Sequence, residues 1–360
     1  MATIPATMDA VQLLGYGGPE MLAYRTDVSV PVPGTHEVLI RVAAAGVNNT
    51  DINTRTGWYA REVTGSSGDA ADAGTGADGT SGWSGDLVFP RIQGADACGR
   101  IVAVGDGVDT GRIGERVIVS TMQTAHSGGA PYATTVFGSE HDGAFAQYTV
   151  AHTDETHAVG CDWTDVELAS IPCAYSTAEN MLHRIGLGAE RVLITGASGG
   201  VGSAAVQLAK RRGAEVVAVA GATKADAVRS LGADRVVDRD TDLVAEFGEN
   251  SFDVIVDVVA GPVWAHVTRL LRIGGRYITA GAIAGPIVDL DVRDLYLKDL
   301  TLKGSTYQDA EVFPNLVGYI ERGEIRPMIA ATFPLEQIAA AQAAFLDKGF
   351  VGKIVLEIPE

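Results

Sequence analysis

The hydrophobic and polar positions of this 360-residue chain follow one pattern in the N-terminal part and another in the C-terminal part. Up to about residue 150, short β-branched runs alternate with glycine and proline, as in EVLIRVAAAG (37–46), GRIVAVGDGV (99–108) and GAFAQYTVA (143–151). Short strands separated by turn residues at intervals of roughly 8–12 residues are typical of a β-rich or barrel-like domain. The sequence therefore predicts such a domain in the N-terminal part of the chain.

From about residue 163 the pattern changes to short apolar runs separated by helical stretches. The runs RVLITG (191–196), AEVVAVA (214–220), FDVIVDVV (252–259) and GGRYITAG (274–281) are apolar at most positions. Strands that are apolar on both faces need helices on both sides of their sheet, as in a doubly wound parallel sheet. We therefore predict an α/β protein in which a β-rich domain is joined to a doubly wound parallel sheet.

A segment of different composition interrupts the pattern of short strands in the N-terminal part of the chain. Residues 60–86, which contain REVTGSSGDAADAGTGADGTSGWSGD, are dense in glycine, serine, alanine and aspartate. A segment with so little apolar content cannot form a core of its own. We therefore predict a flexible insertion between Tyr59 and Phe89.

The run 191–220 contains a glycine-rich turn between a predicted strand and a predicted helix. Gly199 and Gly202 have the spacing of the last two glycines of the G-x-G-x-x-G motif, while Ala197 stands at the first position. Such a turn lets a pyrophosphate approach the backbone at the positive N-terminus of the helix. A tight turn without a ligand is the alternative, but the strand–turn–helix context favours dinucleotide binding. The predicted cofactor contacts in this turn are Ser198, Gly199, Gly200, Val201 and Gly202.

The end of the following strand indicates which dinucleotide the turn would bind. An NAD enzyme usually places an acidic residue there, on the ribose 2′-hydroxyl. This strand ends in AVAGATK (218–224) without a carboxylate, and Glu215 begins the strand, so its side chain would point away from the ribose. Ordinary solvated surface charge is the alternative for the nearby basic residues, but together they favour NADPH over NADH. The predicted contacts here are Gly221, Thr223, Lys224 and Arg239.

The acidic composition of the chain argues against two kinds of partner, nucleic acids and membranes. The chain has 45 acidic and 27 basic residues, for a formal net charge of −18. An acidic surface repels phosphate backbones and anionic lipid, so we expect neither nucleic-acid nor membrane binding.

The N-terminus shows no basic run followed by an apolar segment, and no apolar run reaches transmembrane length, so we expect a cytoplasmic protein. Cys98, Cys161 and Cys173 show no paired spacing, which argues against a disulfide framework.

Six segments, which together lie along almost the whole chain, carry a family resemblance: AAGVNNTDINTRTGWY (44–59), GADACGRIVAVGDGV (94–108), GAFAQYTVA (143–151), YSTAENML (175–182), GASGGVGSAAVQLAK (196–210) and GKIVL (352–356). In this combination the chain resembles the medium-chain dehydrogenase/reductase superfamily, and in particular its zinc-free, quinone oxidoreductase-like branch. The resemblance implies a GroES-like catalytic domain over 1–155 and 306–360 and a Rossmann NADP-binding domain over 156–305.

The same resemblance locates the positions at which zinc-dependent members hold their catalytic metal. Those members use a cysteine in the first segment, a His-Glu pair in the second and a later cysteine or carboxylate. Here Asn48 stands at the first position, Ala95 and Asp96 at the pair, and Cys173 at the last. A catalytic zinc needs three protein ligands, so we expect no metal. Four histidines without ligand spacing are interpreted as loop residues: His126, His141, His152 and His157.

The zinc-free members transfer hydride from NADPH to quinones or to C=C bonds conjugated with a carbonyl, and the resemblance implies the same activity here. In such a substrate the conjugated carbonyl spreads the negative charge, so the protein has to align the reactants and supply hydrogen bonds. Asn48 is predicted to hold the substrate oxygen or the nicotinamide ribose, and Tyr59 to donate a hydrogen bond or a proton, although either side chain could instead be structural. The resemblance also indicates cofactor contacts at Thr177, Ala282, Ile283 and Lys353.

Further interpretations stay open at this level. An enoyl thioester reductase would use the same fold, and a non-catalytic protein would bind NADPH without turnover. Members of the family often pair through an edge strand, and the apolar segment 274–290 predicts a homodimer. The insertion begins beside Tyr59 at the mouth of the predicted site. It is therefore either a lid that places Trp83 against a small electrophilic substrate or a surface loop.

Overall fold

The chain folds into two main sheets with covering helices in a computed structural model that describes residues 3–73, 87–124 and 132–360. No helix within these described ranges is long and apolar enough to cross a bilayer. The strands are β1 (Thr7–Leu13), β2 (Leu22–Ser29), β3 (Glu37–Val47), β4 (Arg91–Ile92), β5 (Cys98–Val104), β6 (Arg116–Val119), β7 (Met122–Gln123), β8 (Thr135–Val136), β9 (Tyr148–His152), β10 (Thr156–Ala158), β11 (Arg191–Ile194), β12 (Glu215–Ala220), β13 (Arg235–Asp238), β14 (Phe252–Asp257), β15 (Leu271–Thr279), β16 (Thr301–Gly304), β17 (Ile329–Pro334) and β18 (Lys353–Glu357). The helices are α1 (Asn49–Thr56), α2 (Ser67–Ala73), α3 (Asp165–Ala169), α4 (Pro172–Ile185), α5 (Gly200–Arg211), α6 (Ala225–Ser230), α7 (Leu243–Phe247), α8 (Trp264–Leu270), α9 (Val292–Leu297), α10 (Val312–Glu321) and α11 (Ile338–Leu346).

The first sheet combines strands from the N-terminal half with the C-terminal strands. Its order is β10-β6-β5-β3-β18-β17, and β9 also pairs with β3. β3 is buried over most of its length because it has neighbours on both sides, and β18 joins it antiparallel with Ile354 opposite Val47. The β-rich part of the predicted fold is confirmed. The domain boundaries after residues 155 and 305 stay predictions.

The second sheet is parallel throughout, with the order β13-β12-β11-β14-β15-β16. Its central strands are apolar on both faces, and Val192, Val216 and Val254 are fully buried. The strand order reverses between β11 and β14, and ligands of such sheets bind outside the carboxyl ends of the strands at that point. This sheet confirms the predicted doubly wound part of the α/β fold.

The prediction that segment 274–290 supplies an edge strand is wrong. Its strand residues belong to β15, which pairs with β14 on one side and with β16 on the other. Among the described strands, β16 takes the edge position beside β15, although it is shorter and less buried, and β13 takes the opposite edge. The apolar stretch of this segment begins at the end of β15, which is internal, and continues into the loop after it, so hydrophobicity marked the wrong strand. The homodimer itself stays a prediction.

The insertion contains a helix that its composition did not predict. α2 begins after Ser66, whose hydroxyl donates to Asp69 Oδ2 (2.7 Å) and accepts from the Asp69 backbone N–H (3.1 Å). A serine at this position satisfies a free N–H of the first turn, and the alanines that follow favour the helix. Trp83, which was predicted to face the substrate in the lid interpretation, lies outside the described residues.

His157 lies in β10, with its ring between the first sheet and α10. Its Nε2 is 2.9 Å from Ser120 Oγ, and the ring stacks on Phe313 with 4.5 Å between the ring centroids. Burial, with a smaller effect from the charge of Arg112, lowers the pKa of His157 to about 4. The side chain is therefore neutral in the folded protein at neutral pH.

We expect His157 to make the folded state less stable in acid. Between pH 6.5 and about pH 4 the unfolded chain binds a proton at this residue that the folded protein does not bind. The free energy of unfolding therefore falls as the pH is lowered through this range, by up to about 3 kcal/mol. His157→Gln, which keeps a polar side chain beside Ser120, should flatten this part of the profile. Urea denaturation of both proteins across this range measures the difference, and parallel profiles would contradict the expectation.

Candidate functional site

The glycine-rich turn connects β11 to α5 at the carboxyl end of the second sheet. Gly196 has a φ of +59°, and a Cβ on Gly202 would overlap the carbonyl oxygen of Gly196, so both positions require glycine. Gly199 is the N-cap residue of α5, and no described side chain caps this helix. The first N–H groups of α5, within the predicted contacts 198–202, can therefore bind an anion, which fits a pyrophosphate.

Two other parts of the chain pack against this turn. The backbone N–H of Gly352 donates to the carbonyl oxygen of Ser198 (3.0 Å), so the C-terminal segment is held to the turn. On α4, a Cβ on Gly200 would lie 3.3 Å from the Cβ of Ala174. Thr177 follows one turn later on the same face of α4 and is partly exposed between buried neighbours. The structure thus brings Thr177 to the side of the turn, and its contact with the cofactor stays a prediction.

The loops after β14 and β15 lie next to the glycine-rich turn, at the carboxyl ends of the parallel strands. With the turn they border the crevice in which a dinucleotide would bind. The buried carboxylate of Asp257, at the end of β14, accepts hydrogen bonds from Thr195 Oγ1 (2.5 Å) and Tyr277 Oη (2.8 Å). This carboxylate joins the ends of three neighbouring strands. The backbone N–H of Ala284 donates to the carbonyl oxygen of Val259 (2.9 Å), which holds the two loops together. The predicted cofactor contacts in the second loop are Ala282 and Ile283.

A cluster of cations lies beyond the end of β12. A Cβ on Gly221 would meet no described atom within 4 Å, and Thr223 is exposed, so the space beside this strand end is open. The ammonium of Lys224 donates a hydrogen bond to the backbone carbonyl of Lys348, although the two lysines are 124 positions apart. Lys348 was not predicted, because no sequence motif marks a lysine on the C-terminal segment as a neighbour of β12.

The charges of this cluster destabilise one another. Burial and the charge of Arg239 lower the pKa of Lys224. Lys348 as a whole is exposed, but the protein around its ammonium and the charge of Lys224 lower its pKa to about 8. A bound phosphate would remove this mutual repulsion. The cation cluster, defined as Lys224, Arg239 and Lys348, is therefore suited to bind an anion.

A buried network joins the start of α1 to β18. Asp96 Oδ2 accepts hydrogen bonds from Lys353 Nζ (2.9 Å) and Asn48 Nδ2 (2.8 Å), and Asp96 Oδ1 accepts from the backbone N–H of Cys173 (2.6 Å). Lys353 also donates to Asn48 Oδ1 and to the carbonyl oxygen of Val47 (3.2 Å). The side chains of Lys353 and Asp96 are 3% and 0% exposed. The pair is therefore a buried ion pair in which protein atoms use all three donors of the ammonium.

These contacts change the interpretation of Asn48 and Lys353. Both are predicted from the sequence to contact substrate or cofactor, but their described hydrogen bonds are internal. The stem of Lys353 lies directly under the glycine turn, where a Cβ on Gly200 would be 2.9 Å from Lys353 Cδ. We interpret both side chains as supports for α1 and the turn. Direct contact of either with a ligand stays a prediction.

Asp51 and Tyr59 lie beside this network. Asp51 Oδ2 accepts from the backbone N–H of Asn48 (2.7 Å), and Oδ1 accepts from that of Ala95 (3.2 Å). Burial raises the pKa of Asp51 to about 7 despite these two N–H donors. The Tyr59 hydroxyl is 3.2 Å from Thr50 Oγ1, and burial raises the pKa of this phenol. Tyr59 is therefore protonated at neutral pH, and its hydroxyl donates a hydrogen bond to Thr50 Oγ1.

Known proteins of similar sequence share this architecture. Residues 34–160 match the family model described as alcohol dehydrogenase GroES-like domain, and residues 200–322 match the model described as zinc-binding dehydrogenase. The chain is 31% identical to the quinone oxidoreductase of Lama guanicoe, over 99% of each protein. The chain belongs to the medium-chain dehydrogenase/reductase superfamily. The family predicted from the sequence is confirmed.

Within the superfamily this oxidoreductase is quinone oxidoreductase-like. The acryloyl-coenzyme A reductase of Metallosphaera sedula is 29% identical to it, over 92% of this chain and 95% of that protein. A solved structure from Sinorhizobium meliloti 1021, assigned as an alcohol dehydrogenase, has a TM-score of 0.88 and 45% identity and covers 100% of this chain and 99% of its own. The solved structure of a thermostable alcohol dehydrogenase from Pyrobaculum aerophilum has a TM-score of 0.82 and 29% identity. The match covers 98% of this chain and 99% of that chain. Oxidoreductases of this superfamily use a nicotinamide dinucleotide as their cofactor.

The superfamily includes zinc enzymes, but the donors of this member do not fit a catalytic zinc site. Asn48 and Ala95 offer an amide and a methyl group, and Asp96 is paired with Lys353. Burial and the charge of Asp96 raise the pKa of Cys173. Cys173 is the one thiol among these four positions, whereas a catalytic zinc needs three protein ligands. In the described ranges, no group of three or more His, Cys, Asp or Glu residues could hold a metal ion.

Two of the four histidines that were predicted to be loop residues lie in strands. His152 is the last residue of β9 and His157 lies within β10, so the interpretation of both as loop residues is wrong. His152 directly follows the predicted strand run GAFAQYTVA (143–151), whereas β10 is only three residues long and has no clear apolar signal. His141 Nε2 is 2.8 Å from Thr135 Oγ1. His126 lies outside the described residues.

Proposed function

We propose that this protein is a zinc-independent, NADPH-dependent reductase that transfers hydride to a quinone or an α,β-unsaturated carbonyl. The observation that carries the proposal is the buried Lys353–Asp96 ion pair among the positions that resemble zinc ligands. An ammonium whose protons are all bonded to protein cannot polarise a carbonyl as a zinc ion does. A substrate that delocalises the developing negative charge by itself is therefore favoured over a simple ketone or aldehyde. The quinone oxidoreductase relatives support the same class of substrate.

In this proposal the residues of the chain bind and orient the reactants. NADPH, when bound, supplies the hydride. The N–H groups at the start of α5 hold its pyrophosphate, and the loop 281–285 borders its nicotinamide end. Tyr59, whose hydroxyl is protonated at neutral pH, would exchange its hydrogen bond to Thr50 for one to the substrate oxygen, and could donate its proton there. The network of Asn48, Asp96 and Lys353 holds α1, and with it Tyr59, in position.

NADPH is proposed in preference to NADH because of the charges around the end of β12. Lys224, Arg239 and Lys348 lie close together and would supply cations to a ribose 2′-phosphate. Glu215, the acidic residue of this strand, stands at its opposite end and pairs with Arg191 (3.0 Å). The end of β12 itself, Ala220 followed by Gly221, therefore offers no carboxylate in place of the acidic residue that an NAD enzyme has there.

Purified protein with measured zinc content tests the proposal. NADPH and NADH oxidation should be followed with 1,4-benzoquinone, 1,4-naphthoquinone, a 2-alkenal and crotonyl-CoA. We expect turnover with NADPH on a quinone or an enone in protein that contains no stoichiometric zinc and keeps its activity in a chelator. Stoichiometric zinc together with loss of activity in the chelator would refute zinc independence. NADPH binding without turnover of any electrophile would favour a non-catalytic binding protein.

A second candidate function is reduction of an enoyl thioester. The observation that favours it is the similarity to acryloyl-coenzyme A reductases, which extends over most of both chains. The same fold and cofactor would serve, because the thioester carbonyl also delocalises the negative charge. Turnover of crotonyl-CoA at a higher kcat/KM than any quinone would select this candidate.

Removing either lysine of the cation cluster should weaken NADPH binding without changing NADH binding. A hydrogen bond to a charged group contributes about 1.5 kcal/mol, so Lys224→Ala and Lys348→Ala should each raise the Kd for NADPH roughly tenfold. Arg229→Ala is the matched control, because Arg229 pairs with Asp226 on the exposed surface of α6. Fluorescence titration with both dinucleotides gives the four affinities. Equal losses for NADPH and NADH would contradict a 2′-phosphate site.

We also propose that two copies of the chain pair through β16. Among the described strands, β16 has a partner on one side only. Burial against a second copy would remove an apolar patch from water. Sedimentation should show a dimer that Leu297→Glu dissociates, and a monomeric wild-type protein would contradict it. Four apolar side chains between β15 and β16 in the sequence are 60–70% exposed: Ile287, Val292, Tyr296 and Leu297.

A further inference from the structure

The insertion contacts the loop 281–285 of the second sheet directly. The backbone N–H of Ser67 donates to the carbonyl oxygen of Ile283 (3.1 Å), and Ser67 Oγ donates to the same oxygen (3.5 Å). Asn49 Nδ2, at the start of α1, donates to Ser67 Oγ (3.4 Å). We call Asn49, Ser67 and Ile283 the clasp, because they join α1 and the insertion to the second sheet.

The insertion reaches the clasp through a short segment with contacts of its own. Trp58 Nε1 donates to the carbonyl oxygen of Gly65 (3.1 Å), and the backbone N–H of Val63 donates to the carbonyl oxygen of Ala60 (3.0 Å). Ser67 is only 5% exposed, whereas the residues on either side of it are more exposed. The contact of Ser67 with the loop is therefore built into the packing of this segment.

The clasp holds one peptide group of the loop together with the second sheet. The carbonyl of Ile283 and the N–H of Ala284 belong to the same planar peptide group. Ser67 donates to that carbonyl, and the N–H donates to the carbonyl oxygen of Val259 (2.9 Å). Both polar atoms of the peptide group are thus bonded, one to the insertion and one to the loop after β14. The orientation of the loop 281–285 depends on both bonds.

Asn49 also connects the clasp to the cation cluster. Its Oδ1 accepts a hydrogen bond from Lys348 Nζ (3.3 Å), while its Nδ2 donates to Ser67. Polar contacts therefore run without a break from Ile283, beside the proposed nicotinamide end of the crevice, to Lys348, beside the proposed 2′-phosphate. Lys224 holds the backbone of Lys348 independently of Ser67.

We propose that Ser67 is a positioning residue for the nicotinamide end of the cofactor, an inference that rests on the proposed NADPH-dependent function. By holding the Ile283–Ala284 peptide group, the clasp restricts the loop 281–285 before the cofactor binds. A loop that is already ordered loses less conformational entropy on binding, so the affinity is higher. The proposed contacts of the adenosine half are Lys224, Arg239 and Lys348, and Lys224 holds the backbone of Lys348 without using Ser67. Ser67 therefore contributes to affinity for the whole dinucleotide and not to affinity for its adenosine half.

Three substitutions separate this role from the general stability of the insertion. Ser67→Pro removes both donors to the Ile283 oxygen, because proline has neither an N–H nor a hydroxyl. Position 67 is the first residue of α2, where proline is tolerated, so the helix should persist. Ser67→Ala removes only the hydroxyl. Ser66→Ala is the matched control, because Ser66 Oγ bonds to Asp69 within the insertion and not to the loop.

Calorimetric titration with NADPH and with adenosine 2′,5′-bisphosphate tests the proposal. We expect Ser67→Pro to raise the Kd for NADPH about five- to tenfold and Ser67→Ala about two- to threefold, with Ser66→Ala unchanged. The Kd for adenosine 2′,5′-bisphosphate should be the same in all four proteins. In cofactor-free protein, hydrogen exchange of the peptide spanning 281–285 should be faster in Ser67→Pro than in the wild type.

Unchanged NADPH affinity in Ser67→Pro, or an equal loss for both ligands, would overturn the positioning role. The same loss in Ser66→Ala would also overturn it, because the effect would then come from disturbance of the insertion. If Ser67→Pro does not fold, Ser67→Ala decides by the same two affinities and by exchange. Wild-type protein that binds NADPH but reduces no electrophile would overturn the proposed reaction alone, whereas wild-type protein that binds no NADPH would overturn both proposals.

Discussion

Lys353→Met should lower the free energy of unfolding by about 3–5 kcal/mol, because the buried carboxylate of Asp96 would lose its counter-ion and one of its hydrogen bonds. Asp96 is fully buried, and Lys353 donates to the same oxygen that accepts from Asn48. Methionine keeps an unbranched, flexible stem, so the change removes the charge and its hydrogen bonds with little change in packing. Urea denaturation measures the loss. The kcat should fall as well, because the network holds α1 and Tyr59.

Two further variants show whether the ion pair itself is responsible. Asp96→Asn in the Lys353→Met background removes the unpaired charge and should recover most of the lost stability. Lys303→Met is the matched control, because Lys303 is exposed and donates to the carbonyl of Arg184, so the change should stay within about 0.5 kcal/mol. A Lys353→Met protein as stable as Lys303→Met would show that the pair does not hold the site.

Gly202→Ala should remove most of the affinity for NADPH. A Cβ at this position would overlap the carbonyl oxygen of Gly196 and crowd the Cα of Ala197, which are backbone atoms of the turn. Backbone atoms cannot rotate away as a side chain can, so the start of α5 must shift relative to β11. Overpacking of this kind costs about 1–3 kcal/mol and would move the N–H groups that hold the pyrophosphate. We expect the Kd for NADPH to rise roughly tenfold or more.

The control for this substitution is another glycine near the same strand. Gly188 precedes β11, and a Cβ there would meet no described atom within 4 Å. Gly188→Ala should therefore leave the Kd for NADPH unchanged. Fluorescence titration gives the affinities, and thermal unfolding shows whether each variant is folded. If Gly202→Ala binds NADPH as tightly as Gly188→Ala does, the close approach of α5 to the turn is not required for binding.

The glycine turn was predictable because its parts are neighbours in the chain. The strand, the spacing of Gly199 and Gly202, and the helix that follows all lie within one short segment, and the structure has them in that order. α2 was missed for the opposite reason, because its hydrogen-bonded cap at Ser66 is hidden in a polar, glycine-rich composition. β16 was missed because an edge strand is defined by its neighbours and not by its own hydrophobicity.

The sequence predicted two catalytic candidates, Tyr59 and Asn48, and the structure changes the interpretation of Asn48. Tyr59 is placed beside α1 with a protonated hydroxyl, and its role toward substrate stays a prediction. Asn48 was predicted as a ligand contact, but Asp96 and Lys353 use its amide inside the protein. A residue type at a resembling position indicates which chemistry is possible there. Only the surrounding side chains show which partner it has.

The sequence by itself determined the parallel sheet and the glycine turn, because the strands and the turn are each recognised from residue types within short segments. The loss of zinc-ligand residues followed from the resemblance, which compares separate segments position by position. The tertiary structure alone decided which distant side chains meet. Lys353 pairs with Asp96 across 257 positions, Ser67 with Ile283 across 216, and Lys224 with Lys348 across 124. These contacts exist because the C-terminal strands return to the first sheet and the insertion packs on the second. Local hydrophobic periodicity carries no information about such returns, since it reports only how a segment is buried and not what it is buried against.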